Sequence, residues 1–325
     1  MSSTGTDTAA LTAAAEAALR APSIFNTQPW RWHVTQDALE LSADPERQLP
    51  VVDPDHRLST LSCGIALHHA RTALAAEGRT GAVTRLPDPA RPDLLATIRV
   101  TGRHSPEPAD VRRYEATLIR HTDRRLFTDQ PVPPESLDTL RAAAGAEHTH
   151  LHVLRPDDVP ALASAVAKAQ AMELADPAYR AELARWTDRP DGDEGVPAGT
   201  ATPPGHRTVP VREFSLAGGG DLPAGGGTDN AASYAVMAGD SDEPVAWLRA
   251  GEALSAVLLT AVSADLAVSP MSDVAEVPAT RALLRGLLAG IGYPFLVLRI
   301  GVAEQSAGVP ATPRRGAADA IDVDP

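Results

Sequence analysis

The chain is short of several things, and each shortage excludes something. It has one cysteine, Cys63, so no internal disulfide framework is available. Its only lysine is Lys168, so arginine carries nearly all the positive charge and the clustering of arginines says more than their presence. No basic segment leading into an apolar run and a cleavage site opens the chain. The early "LTAAAEAAL" is interrupted by Glu16 and followed by Arg20. No apolar stretch is expected to approach the roughly 18 or more residues of a membrane span. A cytoplasmic protein without a membrane partner is the expectation. Basic excess is absent too: the formal net charge of −13 has the wrong sign for a phosphate backbone, so no nucleic-acid partner is expected. What is present, 43% apolar and 22% charged residues over 325 positions, suits one large core or two ordinary ones.

Against 4% aromatic residues overall, "RAPSIFNTQPWRW" (20–32) stands out, with two of the four tryptophans beside two Pro, a Ser and three further amide or hydroxyl side chains. Against the acidic background two basic clusters stand out, "RHTDRR" (120–125) and "TPRR" (312–315).

Periodicity predicts a helix from about Thr8 to Arg20, stopped by Pro22, then the quoted loop and a strand at "RWHV". A helix follows over "LSTLSCGIALHHARTALAAEG", ending at Gly78, and "LLATIRV" reads as a strand. The order then begins again. "PESLDTLRAAAGAEHTHLHVL" is a helix opened by Pro133 and Pro134 and closed near Gly145, leading into a strand. "CGIAL" (63–67) resembles "AGEAL" (250–254), and "TIRV" resembles "VLRI". The chain therefore reads as two divergent copies of one α+β unit, 1–112 and 113–325. The interval from His152 to Gly251 is about three times that from Trp32 to Gly64, so the second copy carries an insertion. Its Gly- and Pro-rich part, 187–233, is expected to be a lid or a linker. Its glycines are not a phosphate loop, since no Gly-Lys-Ser/Thr follows them.

Other candidates carry less. His148, His150 and His152 share one strand face without a carboxylate partner, so no metal site is expected. Cys63 falls in a buried helix and reads as an inert core thiol. Ser23 lacks the Gly-x-Ser-x-Gly context of a hydrolase nucleophile.

"APSIFNTQPW" resembles the APSxxNxQPW signature of the flavin-dependent nitroreductase superfamily, and "RHTDRRLFTDQPVPPESLDTL" resembles the segment that opens its ordinary subunit. Here their order is reversed. The first copy keeps the APS loop, and the second keeps the arginine opening but reads "AGAEHTHLHV" where an APS loop would stand. The Acg-like subgroup is similar in this respect and over nearly the full length, through "SCGIAL", "DEGVPA", "WLRAGEAL", "AEVPATRALLRGLLAGIGYP" and "TPRR".

That resemblance implies an α+β nitroreductase-like fold, two tandem copies making a pseudo-dimer within one chain, monomeric or a dimer of such chains. It implies one FMN between the copies, with NAD(P)H as donor and a small electron-poor substrate. Arginine forks suit a phosphate, so Arg120, Arg124, Arg125, Arg314 and Arg315 are expected at the FMN phosphate, with Thr122 adding a hydroxyl. Pro22 and Ser23 would edge the ring, with Asn26 near it and Gln28 fixing the loop or reaching the cofactor. Ser269 and Met271, in "LAVSPMSD", would face the ring's middle. Trp30 is expected to turn into the core. Phe25 stands where the Acg-like loop usually has histidine. No residue is singled out as a catalytic acid or base. An alternative is a flavin-storing protein whose lid shuts out NAD(P)H.

Overall fold

The computed structural model describes residues 3–187, 192–203, 205, 207–214, 220–304 and 308–325, with side chains from residue 7 onward. Part of the expected lid, 188–191, 204, 206 and 215–219, lies outside the described residues.

In chain order the elements are α1 (Ser3–Ala18), β1 (Trp30–Val34), β2 (Leu39–Ala43), α2 (Arg57–Ala76), β3 (Arg79–Arg85), β4 (Leu94–Arg103), α3 (Pro108–Ile119), α4 (Pro134–Ala146) and β5 (His150–Val153). There follow α5 (Val159–Ala175), α6 (Pro177–Trp186), β6 (Ser233–Gly239), α7 (Pro244–Ser263), β7 (Ala267–Met271), α8 (Asp273–Glu276), α9 (Pro278–Leu287), β8 (Tyr293–Gly301) and β9 (Ile321–Val323). The fold is α+β. One sheet has the order β3-β4-β2-β1-β9 and the other β5-β6-β8-β7. All described strand pairs are antiparallel except β1 with β9, so the chain's end returns to the first sheet and brings "TPRR" back to the loop that precedes β1.

Local chemistry explains the elements that matter for the site. β1 alternates buried and less buried residues; Trp30 enters the core as expected and Trp32, on the same face, enters with it, both almost fully buried. At the start of α2, Asp53 accepts from the backbone N–H groups of Leu58 (3.1 Å) and Ser59 (2.8 Å), satisfying donors the helix itself cannot use. Gly78, at φ +70°, turns the chain out of α2, a conformation a side chain would resist. β2 and β3 lie in stretches that the pattern of the sequence leaves unassigned.

α2 and α7 form the centre. Their glycines, Gly64 and Gly251, face each other, and the principal core runs continuously from Trp32 and Leu41 through Leu67 and Leu254 to Leu298. One expectation is corrected here. α7 is 20 residues long and apolar enough on average to cross a membrane, despite Arg249 and Glu252 within it. Its burial accounts for that composition, because a helix packed on most sides needs an apolar surface on most sides. Glu252, with no exposed surface, is held by Arg85 at 2.6 and 2.9 Å and by Arg71 at 2.6 Å.

Candidate functional site

The loop after α1 is locally strained. Phe25, Asn26 and Gln28 have φ of 47°, 53° and 51°, a left-handed region costing a non-glycine residue about 1 kcal/mol or more. The loop persists because its surroundings hold it from several sides. Ser23 Oγ accepts from the Gln28 N–H (2.9 Å), and the Ile24 N–H donates to Ser62 Oγ on α2 (3.1 Å). Asn26 Nδ2 donates to the carbonyls of Gly195 and Pro313, both at 3.1 Å, and its Oδ1 accepts from Arg314 Nη1 at 3.1 Å. Gln28 Nε2 donates to the Asp193 carbonyl (2.9 Å), while its Oε1 accepts from the Arg315 N–H (2.9 Å). Asn26 and Gln28 are thus buried fasteners that tie the loop to the "DEGVP" segment and to the "TPRR" tail.

Above this loop is a cavity of about 100 Å³. Pro22, Ser23 and Phe25 form one wall and Leu58, Leu61, Ser62 and Ile65 of α2 another. Thr122, Arg124, Pro270 and Ser272 complete it from segments later in the chain, together with Arg212 and Phe214. Ser269 and Met271 do not line it; they border a smaller space behind Arg124, Arg212 and Phe214. Across the cavity run four side chains in sequence. Arg124 lies 4.5 Å from the Phe214 ring centre, Phe214 meets Phe25 edge-on at 6.1 Å, and Arg212 lies 5.0 Å from the Phe25 ring.

The five expected arginines separate into two groups. Arg120 is close enough to both Arg124 and Arg314 to be repelled by them. Burial pushes Arg120 down to about 9, and Arg124 and Arg314 down to about 10. No carboxylate bonds any of the three among the described residues. Arg120 Nε and Nη1 and Arg314 Nε are buried with no hydrogen-bond acceptor there. Such a concentration of uncompensated positive charge fits an anion. His69 stands beside Arg120 and Arg314, and burial pushes it down to about 3, so it adds no charge at neutral pH. Arg125 is not brought to this cluster's chemistry, because its guanidinium is paired with Asp123 (2.7 Å). Arg315 holds the loop, donating to the carbonyls of Gln28 (3.2 Å) and Trp30 (3.4 Å) with Asp44 at 3.8 Å.

The segment carrying Arg124 is positioned from below by a buried ion network. Arg299 of β8, with no exposed surface, donates to Asp229 (2.6 Å) and to the carbonyls of Asp123 (3.1 Å) and Arg125 (2.9 Å). Arg207 joins Asp229 (2.8 Å) to the Arg124 carbonyl (2.7 Å).

Comparison with known proteins places these features in a lineage. The family model described as "Nitroreductase family" matches residues 118–301, more than half of the chain. The chain belongs to the nitroreductase family. It is 39% identical over 313 residues to a Mycobacterium tuberculosis H37Rv protein named "Putative NAD(P)H nitroreductase Rv3131", covering 94% of this chain and 89% of that one. It is 34% identical over 318 residues to "Putative NAD(P)H nitroreductase acg" of the same strain, covering 97% and 96%. Among solved structures it is similar to an FMN- and NADPH-dependent nitroreductase, NfnB, from Sphigopyxis sp. strain HMH, at 22% identity over 66% of this chain and 99% of that one, with a TM-score of 0.43.

In this nitroreductase-family chain the sequence pattern misses Arg212 and Phe214, which lie in the insertion where no periodicity marks them. It also misses Ser62, an ordinary helix serine until the fold sets it under the loop, and Arg299. Cys63 is inert as expected: it is buried, donates to the Pro29 carbonyl at 3.2 Å, and burial pushes its thiol up. Among the described residues no group of three or more His, Cys, Asp or Glu side chains is arranged to hold a metal.

Proposed function

We propose that this chain is a flavin-dependent oxidoreductase of the nitroreductase type that binds FMN noncovalently. The observation that carries the reading is the set of Arg120, Arg124 and Arg314, three partly buried cations with no carboxylate bonded to them among the described residues: Arg120 and Arg314 keep buried donors unused, and Arg124 lines a mainly apolar cavity. A phosphate supplies the missing charge and acceptors; the apolar walls from Pro22 and α2 suit a flat ring. Family membership gives the reaction class, and relatives named as NAD(P)H nitroreductases suggest NADH or NADPH as donor. The acceptor is a small electron-poor molecule such as a nitroaromatic or a quinone. FMN, when bound, supplies hydride transfer at its N5.

The chain's own residues bind the phosphate, hold the strained loop against the ring, and exclude water. The cavity of about 100 Å³ is below the roughly 300 Å³ of a small-molecule site, with Phe214 lying across it. Ring entry therefore requires Phe214 to withdraw, and we read the described part of the insertion, which also covers Asn26 and Gln28, as a cover over the site. We further read the chain as two copies, 1–112 and 113–325, sharing one site. The repeated glycines and the lining of the cavity from both halves support this. Flavin storage beneath a closed cover has no observation of its own in its favour.

The test is direct. The purified protein's visible absorption spectrum is recorded, and NADPH and NADH are then added without oxygen. A flavin spectrum that bleaches within seconds is expected. Absence of bound flavin after incubation with FMN overturns the reading, and a spectrum that persists with both donors overturns the assignment of NAD(P)H.

A further inference from the structure

Three carboxyl groups and one guanidinium meet between two cavities. Arg212 lines the site cavity, where it stacks on Phe25. Behind that contact its Nη2 lies 2.7 Å from Glu276 Oε2 and 3.4 Å from Glu173 Oε1. Asp273 is the third acid near it. All four are buried, and their side chains have at most 8% of their surface exposed. Beyond the two glutamates is a separate cavity of about 250 Å³, lined by Glu173, Tyr179, Glu276, Asp176, Asp55 and Arg281. Towards the site, Ser272 lies near enough to the Glu276 carboxyl to influence it and also lines the site cavity. The acids thus form a partition with one face to each space.

The charges on this partition do not balance. One guanidinium cannot neutralise three buried carboxylates, and the cheapest remedy is to keep a proton among them. Asp273 has both oxygens supplied with donors, from Gln170 Nε2 (3.0 Å) and from the Val274 N–H (2.9 Å). The proton therefore falls to the glutamates. Glu276 Oε1 is buried without an acceptable partner among the described residues, an oxygen better suited to carrying a proton than a charge. Burial pushes Glu173 up to about 8 and raises Glu276 as well, against the pull of Arg212. Tyr179, beside Glu173, is itself pushed up by burial and stays a phenol. The remaining charged groups on the cavity side are Asp53, Asp55, Asp176, Arg57 and Arg281.

We infer that Glu173 and Glu276 hold one exchangeable proton between them and deliver it through the Ser272 hydroxyl into the site cavity, the pair being refilled from solvent through the cavity behind it. This rests on the reading that the site cavity takes FMN. Reduction of a nitro group to a nitroso group consumes two electrons and two protons and releases water. A hydride brings both electrons and one proton. The second proton comes from the Ser272 hydroxyl as that hydroxyl takes one from Glu276, leaving a carboxylate that water behind it reprotonates. Reduction of a quinone to a hydroquinone has the same need. The arrangement supplies the acid that inspection of the sequence does not find, on Glu173 of α5, Glu276 of α8 and Ser272 between β7 and α8.

Infrared titration of the full chain, with and without FMN, reads the proton itself. A protonated-carboxyl band that titrates with a midpoint near pH 8, and is lost in Glu173→Gln or Glu276→Gln, is expected. If both carboxyls are ionised at pH 7, with no band that either variant removes, the proposal is overturned. Delivery is read by stopped-flow reoxidation of the reduced, flavin-loaded protein with a quinone. Ser272→Ala leaves the charges in place and keeps the band; it is expected to slow reoxidation about 100-fold, the scale of general acid catalysis, and to slow it far more than reduction by the nicotinamide. Reoxidation at the wild-type rate in both Ser272→Ala and Glu276→Gln overturns the delivery step. Failure to bind FMN overturns the reading of the cavity instead, and the two failures are distinguished because the band is recorded without flavin.

Discussion

Gly64 of α2 and Gly251 of α7 meet backbone to backbone. A Cβ on Gly64 would stand 3.0 Å from the Gly251 Cα and collide with the Leu248 carbonyl, and one on Gly251 would stand 2.8 Å from the Gly64 Cα and collide with the Leu61 carbonyl. Because the atoms in the way are backbone, neither helix can yield by turning a side chain. Gly251→Ala is expected to destabilise the protein by about 3 kcal/mol, the upper end of ordinary overpacking, read as a lower midpoint of urea unfolding. A midpoint equal to the wild type's would mean that the helices separate easily, and that their contact is not the centre of the fold.

The division among the arginines predicts unequal effects on cofactor binding. Arg120→Ala removes an uncompensated cation and should weaken FMN by about 10- to 100-fold, the range of one hydrogen bond to a charged group. Riboflavin, lacking the phosphate, should bind both proteins alike. Arg125→Ala, which breaks a pair with Asp123, should change FMN affinity far less. Fluorescence titration with the two flavins decides it, and equal losses for FMN and riboflavin in Arg120→Ala would place the phosphate elsewhere.

Asp229 compensates two buried arginines, Arg207 at 2.8 Å and Arg299 at 2.6 Å, and also accepts from the Phe127 N–H at 2.6 Å. Asp229→Asn leaves Arg299 without its counter-charge and should cost about 3–5 kcal/mol. Thermal unfolding measures the loss. FMN affinity should fall too, since the Arg124 carbonyl is held by the same network.

Glu173 predicts a slope of stability against pH. Its ordinary value of 4.5 applies in the unfolded chain, and burial raises it to about 8 in the folded one. Between these values the folded state binds the extra proton, so stability falls as pH rises from about 4.5 to about 8 and levels off above that. Glu173→Gln has no such proton to lose, so its unfolding free energy should fall less over the same window. Denaturant curves at pH 5, 7 and 9 give the comparison, and parallel slopes for both proteins would show that Glu173 is ionised when folded.

Much of this was legible beforehand for identifiable reasons. The helices α2 and α4 and the strands β1 and β4 follow from periodicity and from Pro or Gly at their ends, and α1 from an alanine- and leucine-rich run stopped by Pro22. Trp30 enters the core as the family resemblance implies, and Trp32, two residues on along the same strand face, joins it. The arginine clusters stand out against an acidic chain. The limits are equally specific. "TIRV" and "VLRI" look alike, yet Arg99 is an exposed partner of Asp37 and Arg299 is wholly buried on Asp229. Nothing local distinguishes them, since burial depends on what packs over each strand. Arg212 and Phe214 sit in a stretch whose composition resembles a linker, and only its path across the cavity gives them a role.

By itself the sequence determined the family, the α+β class, the two glycine-centred helices and the residues of the strained loop, because short-range periodicity, turn chemistry and motif order are written in consecutive residues. The tertiary structure alone decided which charges are compensated. Arg125 and Arg315 find partners while Arg120 and Arg314 keep donors unused, and Glu173 and Glu276, a hundred residues apart, come to share one arginine. Charge compensation depends on distance through the folded molecule and on exclusion of water, and neither quantity exists until the chain has closed on itself.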